Sequence, residues 1–426
     1  MLARLVLLAL LATAALAQSS SNLFRQVDEM TSALSEITGW QVKRKVPAQM
    51  LSKEKFHHYL ESRMNDGDRN ADVRAEELTL KMFGFVPQDF DLAKQTIDLV
   101  SEQAAAYYDY NRKRLYILDS SPDDTEQRVA LVHELAHALA DQHHPLGKFL
   151  KKGDPDDDES AARQAVMEGQ ATWLTWAYVS KRNGGKAEVP EAMLDELTKA
   201  VGADGADFPV YSKAPLYMRE SLTFPYSQGM RFQDAVFHKL GREGFDEVFL
   251  RAPLDTEQIL HPADYFSNKK PAEIDPPSLE TMVGNKESRR FRVLVEGMLG
   301  EFDFSVLLRQ YVSERTGEAA ATHWRGSAYR LYEHKRGKYP VLTFASAWDS
   351  DRSAQTFFRL YQAVMKGKWK KMSGVTSTQD GGTSVLTGVG DSGRFRLSVS
   401  GTTVQSIEGL PAAATPPEPR HPKQNP

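Results

Sequence analysis

From Val129 the apolar positions fall at Leu131, Val132, Leu135, Ala136 and Leu139, the spacing of one buried helix face. Ser121-Pro122-Asp123-Asp124 heads this run and supplies an N-cap, a first-turn proline and first-turn acids. The helix is predicted to end near His144, before Pro145 and Gly147. A second helix is predicted from about Glu159 to Arg182, stopped by Asn183-Gly184-Gly185. Between the two lies a charged loop, Lys151 to Glu159, whose acids suit a solvated, helix-capping segment better than a calcium loop. Just before the first helix, two aromatic and β-branched runs between Gln103 and Asp119 flank Asn111-Arg112-Lys113 and predict a hairpin.

Upstream, residues 22–64 are predicted helical, with one strand-like piece at Trp40 to Val46, and Glu76 to Lys81 adds a short helix. Downstream, residues 230–250 and 291–313 are predicted as further helices. From about Tyr339 the pattern changes to short strands: Val341 to Phe344, Ser384 to Leu386, Arg394 to Val399 and Thr403 to Ile407, with one helix at Ser353 to Met365. The fold class that follows is α+β, a mostly helical region with a small sheet over residues 18–275 and a small C-terminal α+β domain over residues 276–410. The Pro-rich stretch 411–426 is expected to be a disordered tail. At the other end, Arg4, the apolar run Leu5 to Leu16 and the small-x-small site Ala15-Leu16-Ala17 predict a signal peptide over residues 1–17. The apolar run is too short to span a bilayer, so cleavage near Ala17/Gln18 and a secreted or periplasmic location are expected, with no integral membrane span.

The formal net charge of −4 gives no global field for nucleic acid or anionic lipid, and the basic run Lys366 to Lys371 reads as a solvated helix end. The chain has no cysteine, which excludes disulfides and thiolate ligands despite an oxidising destination. Any metal must therefore sit on His, Asp or Glu.

One five-residue run carries that possibility. His133-Glu134-Leu135-Ala136-His137 reads H-E-x-x-H on the first predicted helix. Residues four apart share a helix face, so two imidazoles can hold one ion while Glu134 works on water beside it. Catalytic zinc takes three protein ligands, and two candidates can complete the set. Glu168 lies 31 residues after His137 on the second predicted helix. The stripes Ala130, His133, His137, Ala140 and Ala161, Ala165, Glu168, Thr172 set the candidates among small residues, which allow close helix approach. His143 is the alternative, but Ala140 stands where a glycine would have to break the helix. A continuous helix carries His143 roughly 9 Å beyond His137 on another face. The preferred ligand set is His133, His137 and Glu168 on Zn2+, with Glu134 as general base.

These residues resemble the gluzincins, the thermolysin-like branch of zinc metallopeptidases, in which an H-E-x-x-H helix and a later helical Glu bind zinc. The chain also resembles a group of exported bacterial proteins with the runs YDxxxxxLYI, HELxHALxDQH, EGxAT and TEQILHP, found here at Tyr108 to Ile117, His133 to His143, Glu168 to Thr172 and Thr256 to Pro262. The likeness covers about residues 25 to 270 well and the C-terminal region loosely. It implies a zincin-like fold and hydrolysis of a peptide or protein substrate. It further implies a substrate-pairing edge strand, for which Lys113 to Leu118 is the candidate, and an oxyanion-stabilising side chain, for which Tyr226 comes first and His261 second. Thr172 stands where the thermolysin pattern places an Asp that orients a ligand His; Asp141 is the substitute candidate. An alternative of another class is a non-catalytic zincin-fold protein that binds peptides or envelope partners, and hydrolysis of a non-peptide amide is a third reading.

Overall fold

The computed structural model describes residues 20–64, 67–118, 124–152, 157–200 and 208–411. The expected signal peptide, the Ser121 to Asp123 helix start, residues 153–156 of the acidic loop and the tail beyond residue 411 lie outside the described residues. The fold is α+β, with one small sheet and one large one.

The small sheet contains β1 (Ala48–Leu51), β2 (Ala106–Asp109) and β3 (Arg114–Leu118), in the order β1-β3-β2. The hairpin β2–β3 is antiparallel, with Tyr107 opposite and stacked on Tyr116 at 4.8 Å. Its turn forms because the Asp109 carboxylate accepts the backbone N–H groups of Asn111 and Arg112, both at 2.9 Å, while Lys113 takes a left-handed φ of 55°. β1 pairs in parallel on the other side of β3, so the candidate edge strand, Lys113 to Leu118, is interior. Its free edge is taken by β1, and the hairpin's outer edge is β2. The strand-like reading of Trp40 to Val46 is also displaced, to Ala48–Leu51. Residues Lys43 and Arg44 give their backbone N–H groups to the Gln142 side chain, at 2.8 and 2.9 Å, instead of to a ladder.

Three long helices carry the predicted chemistry. The motif helix runs Asp124–His143, the glutamate helix Asp157–Arg182 and the tyrosine helix Leu216–Leu240. The helix predicted at 230–250 divides at Gly241, whose φ is 63°, into the end of the tyrosine helix and Glu243–Leu250. Asp158, expected in solvated loop, is buried in the first turn of the glutamate helix and accepts from the Thr256 N–H at 2.9 Å and hydroxyl at 2.7 Å.

The large sheet has seven antiparallel strands in the order β4-β5-β6-β10-β9-β8-β7. They are β4 (Phe291–Gly297), β5 (Trp324–His334), β6 (Pro340–Trp348), β7 (Ser373–Asp380), β8 (Thr383–Gly390), β9 (Gly393–Ser400) and β10 (Thr403–Leu410). The helix predicted at 291–313 is therefore corrected: β4 takes its first part, and only Glu301–Tyr311 is helical. Phe291 is buried and Arg292 exposed, and Arg292 pairs with Glu333 across the ladder at 2.7 Å; the ladder to β5 holds this segment as a strand despite a bulge between Val293 and Val295. Helix Asp351–Lys368 covers the sheet through Phe357 and Tyr361, which contact Trp348 and Phe344.

The apolar core runs across residue 275. Phe83 meets Tyr329 and Phe344 of the large sheet, each at 5.5 Å between ring centroids. The same cluster includes Tyr107 of the hairpin and Tyr226 of the tyrosine helix. A polar bolt reinforces this junction. Lys368 lies within the basic run read as solvated, yet its side chain is 2% exposed. Its Nζ stands 2.6 Å from Glu408 Oε2 and donates to the Met82 carbonyl at 2.8 Å, while the Tyr361 hydroxyl donates to Glu408 Oε1 at 2.7 Å. Burial lowers the Lys368 pKa, against the opposing pull of Glu408.

Removing one partner leaves the other charge buried and uncompensated. Glu408→Gln is expected to lower unfolding stability by about 3–5 kcal/mol. The Lys368→Met, Glu408→Leu double variant should lose clearly less, as read by urea denaturation of each. Equal losses would mean that packing, not charge, sets the cost.

Candidate metal centre

The glutamate and tyrosine helices cross at a glycine pair. A Cβ on Gly169 would stand 2.0 Å from the Gly229 carbonyl carbon, and one on Gly229 would stand 2.1 Å from the Ala165 carbonyl oxygen. The backbones thus touch directly. The contact places the residue before Gly169, which is Glu168, and the residue one turn before Gly229, which is Tyr226, at one level.

The motif helix brings its histidines to the same level. His133 Nε2 and His137 Nε2 lie 3.0 Å apart, and each lies 3.1 Å from Glu168 Oε2. All three residues are buried. Among the described residues this is the group of three His, Asp or Glu side chains placed to hold a metal ion. The donor set fits such an ion. Ligand atoms about 2.0–2.1 Å from a tetrahedral zinc stand about 3.3 Å apart, so this triangle is only slightly tighter than one ion requires. Two ring nitrogens and a carboxylate oxygen in mutual contact are also poorly satisfied by protons alone, since the nitrogens face each other as well as the acid. His137 is raised in pKa: burial opposes its charge, but the Glu168 carboxylate outweighs that. His133 is lowered, chiefly by burial. Glu168 is held down to about 2, its burial outweighed by the two histidines.

Glu134 lies beside the triangle, also buried. Its Oε2 accepts the Tyr108 backbone N–H of β2 at 2.5 Å. Its Oε1 is buried with no partner. Burial pushes its pKa up to about 8, with Glu168 adding and His137 and the Tyr108 N–H opposing. Tyr226 is fully enclosed, its ring 5.8 Å from that of His133 and its hydroxyl without a hydrogen-bond partner. Burial, then the charges of Glu168 and Glu134, raise its pKa well above the ordinary value.

The other candidates lie elsewhere. The His143 Nε2 donates to the Gln41 carbonyl at 2.9 Å and its ring stacks on Trp40 at 5.3 Å. The helix continues through Ala140 to His143, and that continuity carries the ring off the ligand face. His261 pairs with Glu301 at 3.0 Å. The Thr172 hydroxyl donates to the Glu168 carbonyl at 2.7 Å, and His133 Nδ1 is buried without a partner. Asp141 is buried and accepts from the Tyr108 hydroxyl at 2.9 Å, Lys113 Nζ at 2.6 Å and the Leu146 N–H at 3.0 Å. Tyr108 therefore holds both Glu134 and Asp141, a role the sequence signalled only as the first position of the run Tyr108 to Ile117.

A family model described as a domain of unknown function (DUF8575) matches residues 289–418. That stretch contains the large sheet and none of the metal cluster. No curated protein and no solved structure matches the chain.

Two outcomes follow from this geometry. Glu168→Ala should abolish stoichiometric zinc binding, read by metal analysis after dialysis, while His143→Ala should retain it; the reverse pattern would reassign the third ligand. Gly229→Ala should lower stability by about 1–3 kcal/mol or more, because the new methyl must push the helices apart. Denaturant midpoints measure this, and an unchanged midpoint would show that the crossing is looser than the structure has it.

Proposed function

We propose that the chain is an exported, zinc-dependent metallopeptidase of the gluzincin type, with a zincin-like helical region, acting on peptide or protein substrates. The observation that carries this reading is the buried triangle of His133, His137 and Glu168 with an unpaired Glu134 oxygen beside it. A zinc ion held by those three side chains would supply Lewis-acid polarisation of a carbonyl and acidify a water.

The protein's own groups divide the remaining work. Tyr108 fixes one oxygen of Glu134 through its N–H, which leaves Oε1 to take a proton from the attacking water and return it to the leaving amine. The Tyr226 hydroxyl, buried beside Glu168 and within no geometrically formed hydrogen bond, is available to donate to the developing oxyanion. His133 and His137 sit one turn apart on a rigid helix, so their spacing does not depend on a loop. Among the described residues no helix is long and apolar enough to cross a membrane.

One observation favours a second reading. His133, Glu134, His137 and Glu168 are each no more than 7% exposed, and such closure also suits a non-catalytic zincin-fold protein that binds peptides or envelope partners. The parent chain and Glu134→Gln separate the two. Both should hold one zinc, and hydrolysis of an unstructured protein substrate should fall about 100-fold or more in the variant. Activity that survives the change would remove Glu134 as base, and inactivity of both zinc-loaded proteins would favour the binding reading.

A further inference from the structure

A pocket of about 330 Å³ opens at the turn of the β2–β3 hairpin, between helix Lys53–Met64 and the short helix Leu146–Lys151. Tyr59 forms one wall, fixed by a ring stack that runs Tyr59, Tyr107, Tyr116 at 5.9 and 4.8 Å between centroids. Tyr110 forms another, and Gly147 packs on it: a Cβ at that glycine would stand 3.2 Å from the ring.

Three cations reach this pocket from three elements. Arg63 ends the first helix, Arg112 sits in the hairpin turn and Lys151 ends the short helix. The guanidinium carbons of Arg63 and Arg112 lie 5.9 and 5.6 Å from the centre of the Tyr59 ring. One carboxylate, Asp109, lines the pocket with them. It holds the turn by accepting two backbone N–H groups and lies 3.6 Å from Arg112. Arg63 and Lys151 have no carboxylate at ion-pair distance among the described residues. Three cations against one acid leave a surplus of two positive charges, in a chain whose net charge is −4. The neutral polar groups of the lining do not oppose an anion, since the Tyr59 and Tyr110 hydroxyls and the Asn111 amide can each donate. The Ser62 hydroxyl is taken by the Tyr59 carbonyl at 2.8 Å.

The hairpin ties this pocket to the metal centre. Tyr108 gives its N–H to Glu134, and Tyr110, two residues on, already lines the pocket. At about 3.3 Å per residue that step is roughly 7 Å. An extended peptide that leaves Glu134 in the direction of β2 covers it in two or three residues.

We propose that this pocket takes a carboxylate of the substrate, two or three residues from the bond that is cut, a placement that rests on the peptidase reading above. The planar guanidinium donors of Arg63 and Arg112 match the two oxygens of a carboxylate, and Lys151 adds a point charge. The cations are partly exposed, so the attraction is screened and falls with salt.

The test is calorimetric titration of the full chain carrying Glu134→Gln with three hexapeptides, each with alanine and phenylalanine at its centre. The first has glutamate at its four outer positions and an amidated end, the second has glutamine there, and the third is the glutamine peptide with a free terminal carboxylate. In low salt the first or the third should bind about fivefold tighter than the second or better, and the gap should close at high salt. The first peptide gaining assigns the pocket to an acidic side chain; the third gaining assigns it to the chain terminus. The double variant Arg63→Gln, Lys151→Gln should remove the preference with zinc content unchanged, while Lys366→Gln, Lys370→Gln, an equal loss of charge elsewhere, should keep it. Lys151→Glu alone serves if the first double variant does not fold. Equal binding of all three peptides, or a preference that survives the pocket variant, overturns the proposal. A carboxylate preference in a parent chain that cuts no protein supports the pocket and overturns the peptidase reading; cleavage without that preference does the reverse.

Discussion

The contact between Gly169 and Gly229 is the constraint on which the arrangement depends. Two helix backbones can touch only where neither carries a side chain, and this chain places both glycines next to its chemistry. A larger residue at either position would separate the axes, and Tyr226 would leave the level of Glu168. The motif helix then completes the set, because residues four apart on a rigid helix need only one orientation to present both imidazoles. The site is thus a consequence of helix packing, with no loop required to hold a ligand.

A cost accompanies this rigidity. Four ionisable side chains sit in the space between three helices, and their charges push each other's pKa values in opposite directions. Glu134 rises and Glu168 falls although both are buried carboxylates, since only Glu168 faces the two imidazoles. The His133 Nδ1 that lacks a partner, the free oxygen of Glu134 and the free hydroxyl of Tyr226 are concentrated in one small volume. A protein interior rarely tolerates such a concentration, and a cation together with a polar ligand would relieve most of it.

Local patterns made part of this legible in the sequence. The motif helix, the glutamate helix and the hairpin all follow from periodicity, capping and turn residues, and the ligand triad follows from spacing on two helices. The parts that were not legible depend on partners far away in the chain. Nothing near Trp40 to Val46 announces that Gln142 will take its backbone donors. Phe291 to Gly297 carries no clean two-residue period, and only its pairing with β5 makes it a strand. β3 looks like an edge until β1 arrives from 67 residues upstream. Lys368 looks solvated in a run of lysines until Glu408 closes beneath it. The glycine crossing, which matters most to the site, is invisible to periodicity because glycine has no side chain to count.

The core that runs from Phe83 into the large sheet has a thermodynamic meaning for the distant end of the chain. An apolar cluster shared by two regions cannot be opened on one side without exposing the other, so their unfolding is linked. Whatever binds between His133, His137 and Glu168 stabilises the native state as a whole by mass action. The strands of the matched domain, which contribute no ligand, would therefore gain protection from solvent exchange when that cluster is filled. In this chain a sheet that contributes no residue to the cluster would become a reporter of events there.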